Sequence, residues 1–194
     1  MAFRKYQITR RESFATLGVG LKAISMGLSG CDSAQTLPKE LNVDFVVIGG
    51  GLGGCAAALS ALQSGLTVIM TEETDWIGGQ LTSQGVPPDE HQWIEEFGCT
   101  QTYRDLRNAI RNHYKKNYPL TADARSNKVL NPGSGSVSRL CHAPRVALAC
   151  LEEKLEPFIS SGKLRLLKKT IPEAVETDND EVKSVKVLNL ESNK

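Results

Sequence analysis

The chain has 194 residues, a formal net charge of +1 and 40% hydrophobic residues. This composition is typical of a globular domain and excludes a largely disordered chain, and the balanced charge does not indicate a nucleic-acid-binding surface. The five cysteines have irregular spacing that fits neither a disulfide framework nor a zinc motif.

Residues 1–31 have the features of an export signal. A basic segment with Arg10 and Arg11 is followed by a moderately apolar run over residues 14–28 and then by small residues. Basic, apolar and small-residue segments in this order are typical of export signals, and the arginine pair resembles a twin-arginine signal. A soluble amphipathic N-terminal helix is the alternative.

The end of this segment resembles a lipobox. Residues 28–31 read Leu-Ser-Gly-Cys, so Cys31 would be the acylated first residue of the mature chain and would attach it to a membrane. Residues 32–41 would then be a short polar tether. The signal departs from the twin-arginine pattern at Ser13 and Phe14, where Phe and Leu are usual.

A glycine motif follows the first predicted strand. Val43 to Ile48 is a β-branched and aromatic run suited to a buried parallel strand, and Gly49, Gly51 and Gly54 then occupy the fixed places of G-x-G-x-x-G. Small and helix-favouring residues predict a helix over 52–64. Gly49 would permit the turn, Gly51 would let the backbone approach a pyrophosphate, and Gly54 would let the helix lie close to the strand.

A second predicted strand, residues 66–71, completes a β-α-β unit and ends at Glu72, 18 residues beyond Gly54. This is the spacing at which an acidic residue accepts hydrogen bonds from a ribose diol in dinucleotide-binding folds. The helix N-terminus would add N–H donors for the phosphates. The alternative is a structural glycine turn without a ligand.

The next segments carry a more specific pattern. Residues 74–85 read Thr-Asp-Trp-Ile-Gly-Gly-Gln-Leu-Thr-Ser-Gln-Gly, and their Gly-Gly pair resembles an element of glutathione-reductase-like flavoproteins. Together with residues 86–98 and 137–148, this run is similar to the FAD-dependent oxidoreductase family of bacterial proteins, some of which are labelled xanthan lyase-like. The resemblance covers about residues 43–190.

The resemblance implies FAD as the cofactor and a set of residues that would bind it. Glu72 would hold the adenosine ribose, with Glu73 as its substitute, and Gln80, Thr82 and Ser83 would lie towards the flavin end. The whole implied set is Gly49, Gly51, Gly54, Glu72, Gly78, Gly79, Gln80, Thr82 and Ser83. The family also has a late segment returning to the flavin and a substrate domain, neither of which we expect in this chain.

A helix is predicted over residues 101–118, where apolar side chains recur at helical spacing. The apolar positions are Tyr103, Leu106, Ile110 and Tyr114. A basic stripe lies beside them: Arg104, Arg107, Arg111 and Lys115. We expect this stripe to be a solvated face, and an anionic substrate or partner is the alternative.

Arg139, Cys141 and His142 form a second candidate cluster. Arg139 could hold an anion and His142 could move a proton near neutral pH. The favoured interpretation is structural, because Pro144 is well placed in the first turn of a helix. The other histidines, His91 and His113, have no partner at metal-ligand spacing, so a metal site is not expected.

The C-terminal stretch predicts three short strands, over residues 164–169, 173–177 and 182–190. The predicted fold is therefore α/β: a Rossmann-like FAD-binding domain over residues 42–194, with a parallel sheet, a β-α-β start and a C-terminal β-meander. We expect this domain to be incomplete, because the length leaves little room for a substrate pocket.

The leading interpretation is an exported FAD-binding oxidoreductase, or its N-terminal portion, acting on an unidentified small molecule. One alternative is a nicotinamide-binding domain, against which the Gly-Gly pair argues. The other is a truncated or interaction module that keeps the fold without turnover.

Overall fold

The computed structural model describes residues 5–10 and 39–191. Its strands are Lys5–Arg10 (β1), Lys39–Val43 (β2), Phe45–Val47 (β3), Val68–Thr71 (β4), Leu164–Leu167 (β5), Thr170–Asp178 (β6) and Glu181–Asn189 (β7). Its α-helices are Leu52–Gln63 (α1), Gln101–Asn117 (α2), Ala122–Ser126 (α3) and Pro144–Ser160 (α4). A short 3₁₀ helix spans Gly79–Leu81.

The predicted β-α-β unit is confirmed. β3 and β4 are parallel neighbours, with Phe45 opposite Val68, and α1 makes the crossover between them. β5 extends this sheet in parallel on the other side of β4, so the strand order is β3-β4-β5. All four residues of β4 are buried, as expected of a central parallel strand.

The predicted strand 43–48 is divided into two. β2 and β3 are separated at Asp44, whose carboxylate accepts hydrogen bonds from the Thr67 N–H at 2.8 Å and from the Thr67 hydroxyl at 2.6 Å. These bonds hold the chain in a bend, and β2 leaves the parallel sheet to pair with β1. Residues 39–41, predicted to lie in the tether, therefore belong to a strand.

A second sheet has the order β2-β1-β7-β6. β1 is parallel to β2 and antiparallel to β7, and Ile8 in its middle is buried against Leu41 and Val187. The sequence pattern indicated an export signal for this segment and predicted no strand. The rest of that signal, including Arg11, the apolar run and Cys31, lies outside the described residues.

The three predicted C-terminal strands form, but they divide between the two sheets, so they do not make the predicted three-stranded β-meander. β5 joins the parallel sheet, whereas β6 and β7 form an antiparallel hairpin to which β1 adds. The predicted α/β class, with a parallel sheet and antiparallel strands, is confirmed. The hairpin places Thr170 and its neighbours beside the end of β4, where Thr170 N–H donates to the Glu72 carbonyl at 2.8 Å.

The main hydrophobic core lies between the parallel sheet and the helices. α2 buries Leu106, Ile110 and Tyr114 at the spacing that predicted this helix, and they join residues of α1 and α4 in one cluster. α4 begins at Pro144, which confirms the structural interpretation of that proline. Among the described helices, none is both long and apolar enough to cross a membrane.

Candidate cofactor site

The glycine motif forms a loop between β3 and α1. Gly49 has φ +101°, a conformation that favours glycine, and its N–H donates to the Thr71 hydroxyl at 3.1 Å. Gly51 is the N-cap of α1 and has no side-chain cap bond. The first turn of a helix has N–H groups without intrahelical partners, so α1 presents donors and a partial positive charge to this loop.

Gly51 and Gly54 differ in the space around them. A Cβ on Gly51 would meet no heavy atom within 4 Å, so the space beside it is open. A Cβ on Gly54 would lie 1.9 Å from the Gly49 carbonyl oxygen, which no side chain can tolerate. Gly54 therefore lets α1 pack directly on the glycine loop, whereas Gly51 leaves room for a ligand.

The Gly78-Gly79 pair packs against the same loop. Gly78 N–H donates to the Gly50 carbonyl at 2.7 Å, and Gly51 and Gly78 form an isolated parallel bridge. Both Gly78 and Gly79 have positive φ, and a Cβ on Gly78 would lie 2.6 Å from Leu151. Two glycine elements that are 27 positions apart in the sequence thus form one backbone surface.

Glu72 lies at the end of β4 facing this surface. Its side chain is largely buried, and Oε1 accepts hydrogen bonds from the Thr74 N–H at 2.8 Å and from the Thr74 hydroxyl at 2.7 Å. These bonds orient the carboxylate so that Oε2 lies beside Gly50, 2.9 Å from where a Cβ on that glycine would be. Glu73, the predicted substitute, is exposed at the same strand end.

These elements enclose a cavity of about 220 Å³, which we call the glycine cavity. Its lining residues are Ile48, Gly49, Gly50, Gly51, Thr71, Glu72, Glu73, Thr74, Gly79, Ser83, Gln84, Thr170, Ile171 and Pro172. The threonines and Gln84 were not predicted from the sequence. Thr71 and Thr74 flank Glu72 and Glu73 at the end of β4, so their place in the sequence could have predicted that they line the cavity. Thr170 comes from a strand distant in sequence, so the sequence near Glu72 gave no sign of it.

Not every residue implied by the resemblance reaches the glycine cavity. Ser83 lines it, whereas Gln80 is exposed outside the lining. Thr82 is buried, and its hydroxyl donates to the Ile77 carbonyl at 2.6 Å. Because that hydroxyl is used inside the protein, Thr82 supports the turn after the Gly-Gly pair rather than contacting a ligand. Gly54 and Gly78 likewise act through packing.

Cys55 follows the glycine motif but has no reactive character. Its thiol is buried and donates to the Gly50 carbonyl at 3.3 Å. Burial raises the pKa of Cys55 to about 12, so the group stays a protonated thiol near neutral pH. It serves as a small packing residue, as its position in the helix predicts.

The basic stripe on α2 was expected to be a solvated face, and this prediction is wrong for its middle. Arg107 and Arg111 are buried and form ion pairs with carboxylates of the preceding loop: Arg107 binds Glu90 and Glu95, and Arg111 binds Glu95. Arg111 Nε also donates to the Leu130 carbonyl at 2.9 Å. Glu90 and Glu95 take the place of solvent around the two buried arginines. Arg107 and Arg111 therefore hold the segment around residues 90–95 onto α2.

The ion pairs shift the pKa values of their members. Burial alone would raise the pKa of Glu95, but the hydrogen bond from Arg111 and the charges of Arg107 and Arg111 outweigh it and lower that pKa. Burial alone would lower the pKa of Arg107, and its contacts with Glu90 and Glu95 raise it instead. Both groups therefore remain charged in the folded protein at neutral pH.

His142 lies near this network at the start of α4. Burial and the charge of Arg107 lower the pKa of His142, opposed by its hydrogen bond with the Ala143 carbonyl and by the charge of Glu90. The imidazole is therefore neutral near pH 7. Cys141 and Arg139 lie on the loop just before it. Within residues 5–10 and 39–191, no three His, Cys, Asp or Glu side chains are grouped closely enough to hold a metal ion.

The glycine cavity fits the diphosphate and ribose of a dinucleotide. Open space beside Gly51, the uncapped start of α1 and the oriented carboxylate of Glu72 supply room, donors and an acceptor in one place. Residues 44–194 match the family model described as FAD dependent oxidoreductase. The chain belongs to this family, and FAD is the cofactor that the family uses.

Curated relatives are similar over part of the chain. Bilirubin reductase of Mediterraneibacter gnavus (strain CC55_001C) is 30% identical over 116 residues, covering 59% of this chain and 17% of that protein. Pseudooxynicotine dehydrogenase of a Pseudomonas species is 37% identical over 70 residues, covering 34% of this chain and 14% of that protein. The chain thus spans less than a fifth of the length of either relative.

Solved structures of two monooxygenases are also similar to part of the chain. The NADP⁺-bound cyclohexanone monooxygenase of Rhodococcus sp. Phi1 matches 73% of this chain and 23% of its own, at 22% identity and a TM-score of 0.38. An oxidized steroid monooxygenase bound to NADP has the same coverage, at 19% identity and a TM-score of 0.36.

Proposed function

We propose that this chain supplies the ADP-binding half of an exported FAD-dependent oxidoreductase that acts on a small molecule. The observation that carries the proposal is the hydrogen bond of Gly78 N–H with the Gly50 carbonyl. This bond joins the two glycine elements into one backbone surface opposite Glu72. Family membership supports oxidoreductase chemistry, in which the bound flavin carries the electrons.

Different residues of the glycine cavity would bind different parts of the ADP half of FAD. The backbone at Gly49–Gly51 and the first N–H groups of α1 would hold the pyrophosphate. Glu72 Oε2 would accept hydrogen bonds from the adenosine ribose, and Thr74 would keep that carboxylate in place. Gly79 and Ser83 would continue the surface towards the flavin.

The Gly51→Val variant tests this assignment. A valine side chain would enter the open space beside Gly51 and abolish FAD binding while leaving the sheet intact. Gly53→Val is the matched control, because Gly53 is exposed and a Cβ there meets no heavy atom within 4 Å. The measurement is flavin content per protein after identical purification, together with titration with FAD. Wild-type occupancy in Gly51→Val would place the phosphate site elsewhere.

Two alternatives make different predictions for the purified chain. A nicotinamide-binding domain would lack the visible absorbance of a flavin, and the match to an FAD family argues against it. A module without turnover would bind FAD and fail to reduce it. We expect this chain alone to bind FAD weakly and to show no sustained turnover, since substrate pockets usually lie where domains meet. Steady flavin reduction by a candidate donor would show that these residues suffice.

Export and lipid attachment at Cys31 form part of the proposal on sequence grounds alone. Replacing Arg10 and Arg11 together by lysine preserves the charge, so a loss of export would reflect recognition of the arginine pair. We expect an uncleaved precursor in the cytoplasmic fraction of the cells. Unchanged export of the lysine variant would mean that another route carries the protein.

A further inference from the structure

A cavity of about 270 Å³ lies between α1, α2 and α4, and no residue that lines it also lines the glycine cavity. We call it the helix cavity. All three helices contribute leucine side chains that are buried in the protein: Leu59, Leu106, Leu151 and Leu155. An engineered cavity of about 150 Å³ lined by such side chains can hold a benzene molecule, so the helix cavity has room for a larger apolar group.

Two polar side chains that line the helix cavity already have partners within the protein. The Cys55 thiol donates to the Gly50 carbonyl at 3.3 Å. The Tyr103 hydroxyl donates to Glu90, which does not line this cavity. Neither donor is therefore free for a ligand, and Tyr103 offers the cavity its aromatic ring. The buried part of the helix cavity thus suits an apolar group rather than a polar one.

The apolar surface of the helix cavity is recessed rather than flat. Among the described residues, none of the large apolar side chains that are exposed on the surface lines this cavity. The exposed residues at its rim include polar ones: Ser60, Gln63, Thr100 and Thr102. A protein partner usually docks on a continuous exposed apolar patch, whereas an apolar recess with a few polar groups is typical of a small-molecule site.

Lys154 is the only charged residue among the described residues that line the helix cavity. It lies on α4 beside Leu155 and is partly buried. Within residues 5–10 and 39–191, no carboxylate forms an ion pair with its ammonium group. A lysine can pack its alkyl stem on apolar surface and keep its charge at the edge of that surface. An unpaired ammonium group beside an apolar recess favours a ligand with an anionic group.

We propose that the helix cavity binds a small molecule with an apolar body and one anionic group, such as a medium-chain carboxylate. The apolar body would contact the buried leucines, and the carboxylate would pair with the Lys154 ammonium group. Because this ion pair would be partly solvated, most of the affinity would come from the apolar body. The site is separate from the glycine cavity and does not rest on the proposed function.

Calorimetric titration of the full chain with octanoate tests the site. We expect saturable binding of one octanoate per chain, and an affinity that rises about fourfold for each methylene added between butanoate and octanoate. Methyl NMR signals of the leucines locate the bound molecule, and those of Leu59 and Leu155 should shift on titration. Absence of saturable binding, or shifts confined to leucines outside the helix cavity, would overturn the proposal.

Ala56→Phe tests the location by filling the cavity. Ala56 is exposed and lines the helix cavity, so a phenyl ring there can occupy much of its volume while the fold is kept. Ala57→Phe is the matched control, because Ala57 is exposed on the same helix and does not line the cavity. We expect Ala56→Phe to weaken octanoate binding by more than about tenfold, through the loss of several buried methylenes, and Ala57→Phe to leave it unchanged. Equal binding by the two folded variants would contradict the assignment.

Lys154→Gln tests the role of the charge. It should weaken octanoate binding by roughly 1.5- to 5-fold, as expected of a partly exposed ion pair, and should leave the binding of uncharged octan-1-ol unchanged. Lys163→Gln is the control, because it removes the same charge from an exposed residue outside the lining. Equal losses for octanoate and octan-1-ol would refute an ion pair with Lys154.

Sedimentation of the same variants distinguishes a ligand site from an interface between copies of the chain. We expect Ala56→Phe and Ala57→Phe to have the oligomeric state of the unaltered chain. A dimer that dissociates in Ala56→Phe but not in Ala57→Phe, together with no octanoate binding by the unaltered chain, would show that a second copy covers the helix cavity and would overturn the proposal.

Discussion

The contact between Gly54 and the Gly49 carbonyl predicts the effect of adding one methyl group. A Cβ on Gly54 would lie 1.9 Å from that oxygen, about 1.4 Å short of the 3.3 Å at which carbon and carbonyl oxygen ordinarily meet. Because the obstacle is backbone rather than a flexible side chain, α1 must move off the glycine loop. Overpacking of this kind costs roughly 1–3 kcal/mol, so we expect Gly54→Ala to lower the free energy of unfolding by about that amount.

Gly53→Ala is the matched control for this substitution. Its Cβ meets no heavy atom within 4 Å, and alanine in a helix is more stable than glycine by about 0.5–1 kcal/mol. The two variants should therefore differ by about 1.5–4 kcal/mol in urea denaturation. This difference in unfolding free energy corresponds to a difference of at least about 3 °C in melting temperature for a chain of this size. Equal stability of the two variants would show that α1 does not pack on the glycine loop as described.

Two further predictions concern the ion pairs and β1. The lowered pKa of Glu95 means that its carboxylate stabilises the fold above its ordinary pKa of 4.5 and that this contribution is lost as pH falls below it. Below that pH, the unfolding free energy of Glu95→Gln should fall less steeply with decreasing pH than that of the exposed control Glu96→Gln. Equal pH dependence of the two variants would refute this prediction. Ile8→Ala should cost roughly 2–5 kcal/mol in the full chain, because Ile8 is 1% exposed in the second sheet. No loss of stability would mean that β1 is not part of the folded domain, as removal of residues 1–30 on export would require.

The local sequence determined the cofactor unit because its parts are close in the chain. The run from Val43 to Glu72 contains both strands, the helix and the glycines, and each assignment follows from backbone geometry within a few residues. The spacing of the motif predicted close helix packing at Gly54, which the structure shows, and a ligand-facing position for Gly51, which stays a prediction. The Gly78-Gly79 pair was found through its resemblance to flavoproteins, while its bond to Gly50 required the fold.

Tertiary structure alone decided the features that depend on distant partners. Arg107 at helical spacing looks the same in sequence whether water or a carboxylate faces it, and Glu90 and Glu95 come from a loop without periodicity. The sequence could not distinguish the role of Thr82 from that of Ser83, because only packing shows that the Thr82 hydroxyl donates to the Ile77 carbonyl. β1 becomes a strand through pairing with β7, some 175 residues away. Such contacts arise from the way the whole chain packs, which no local pattern specifies.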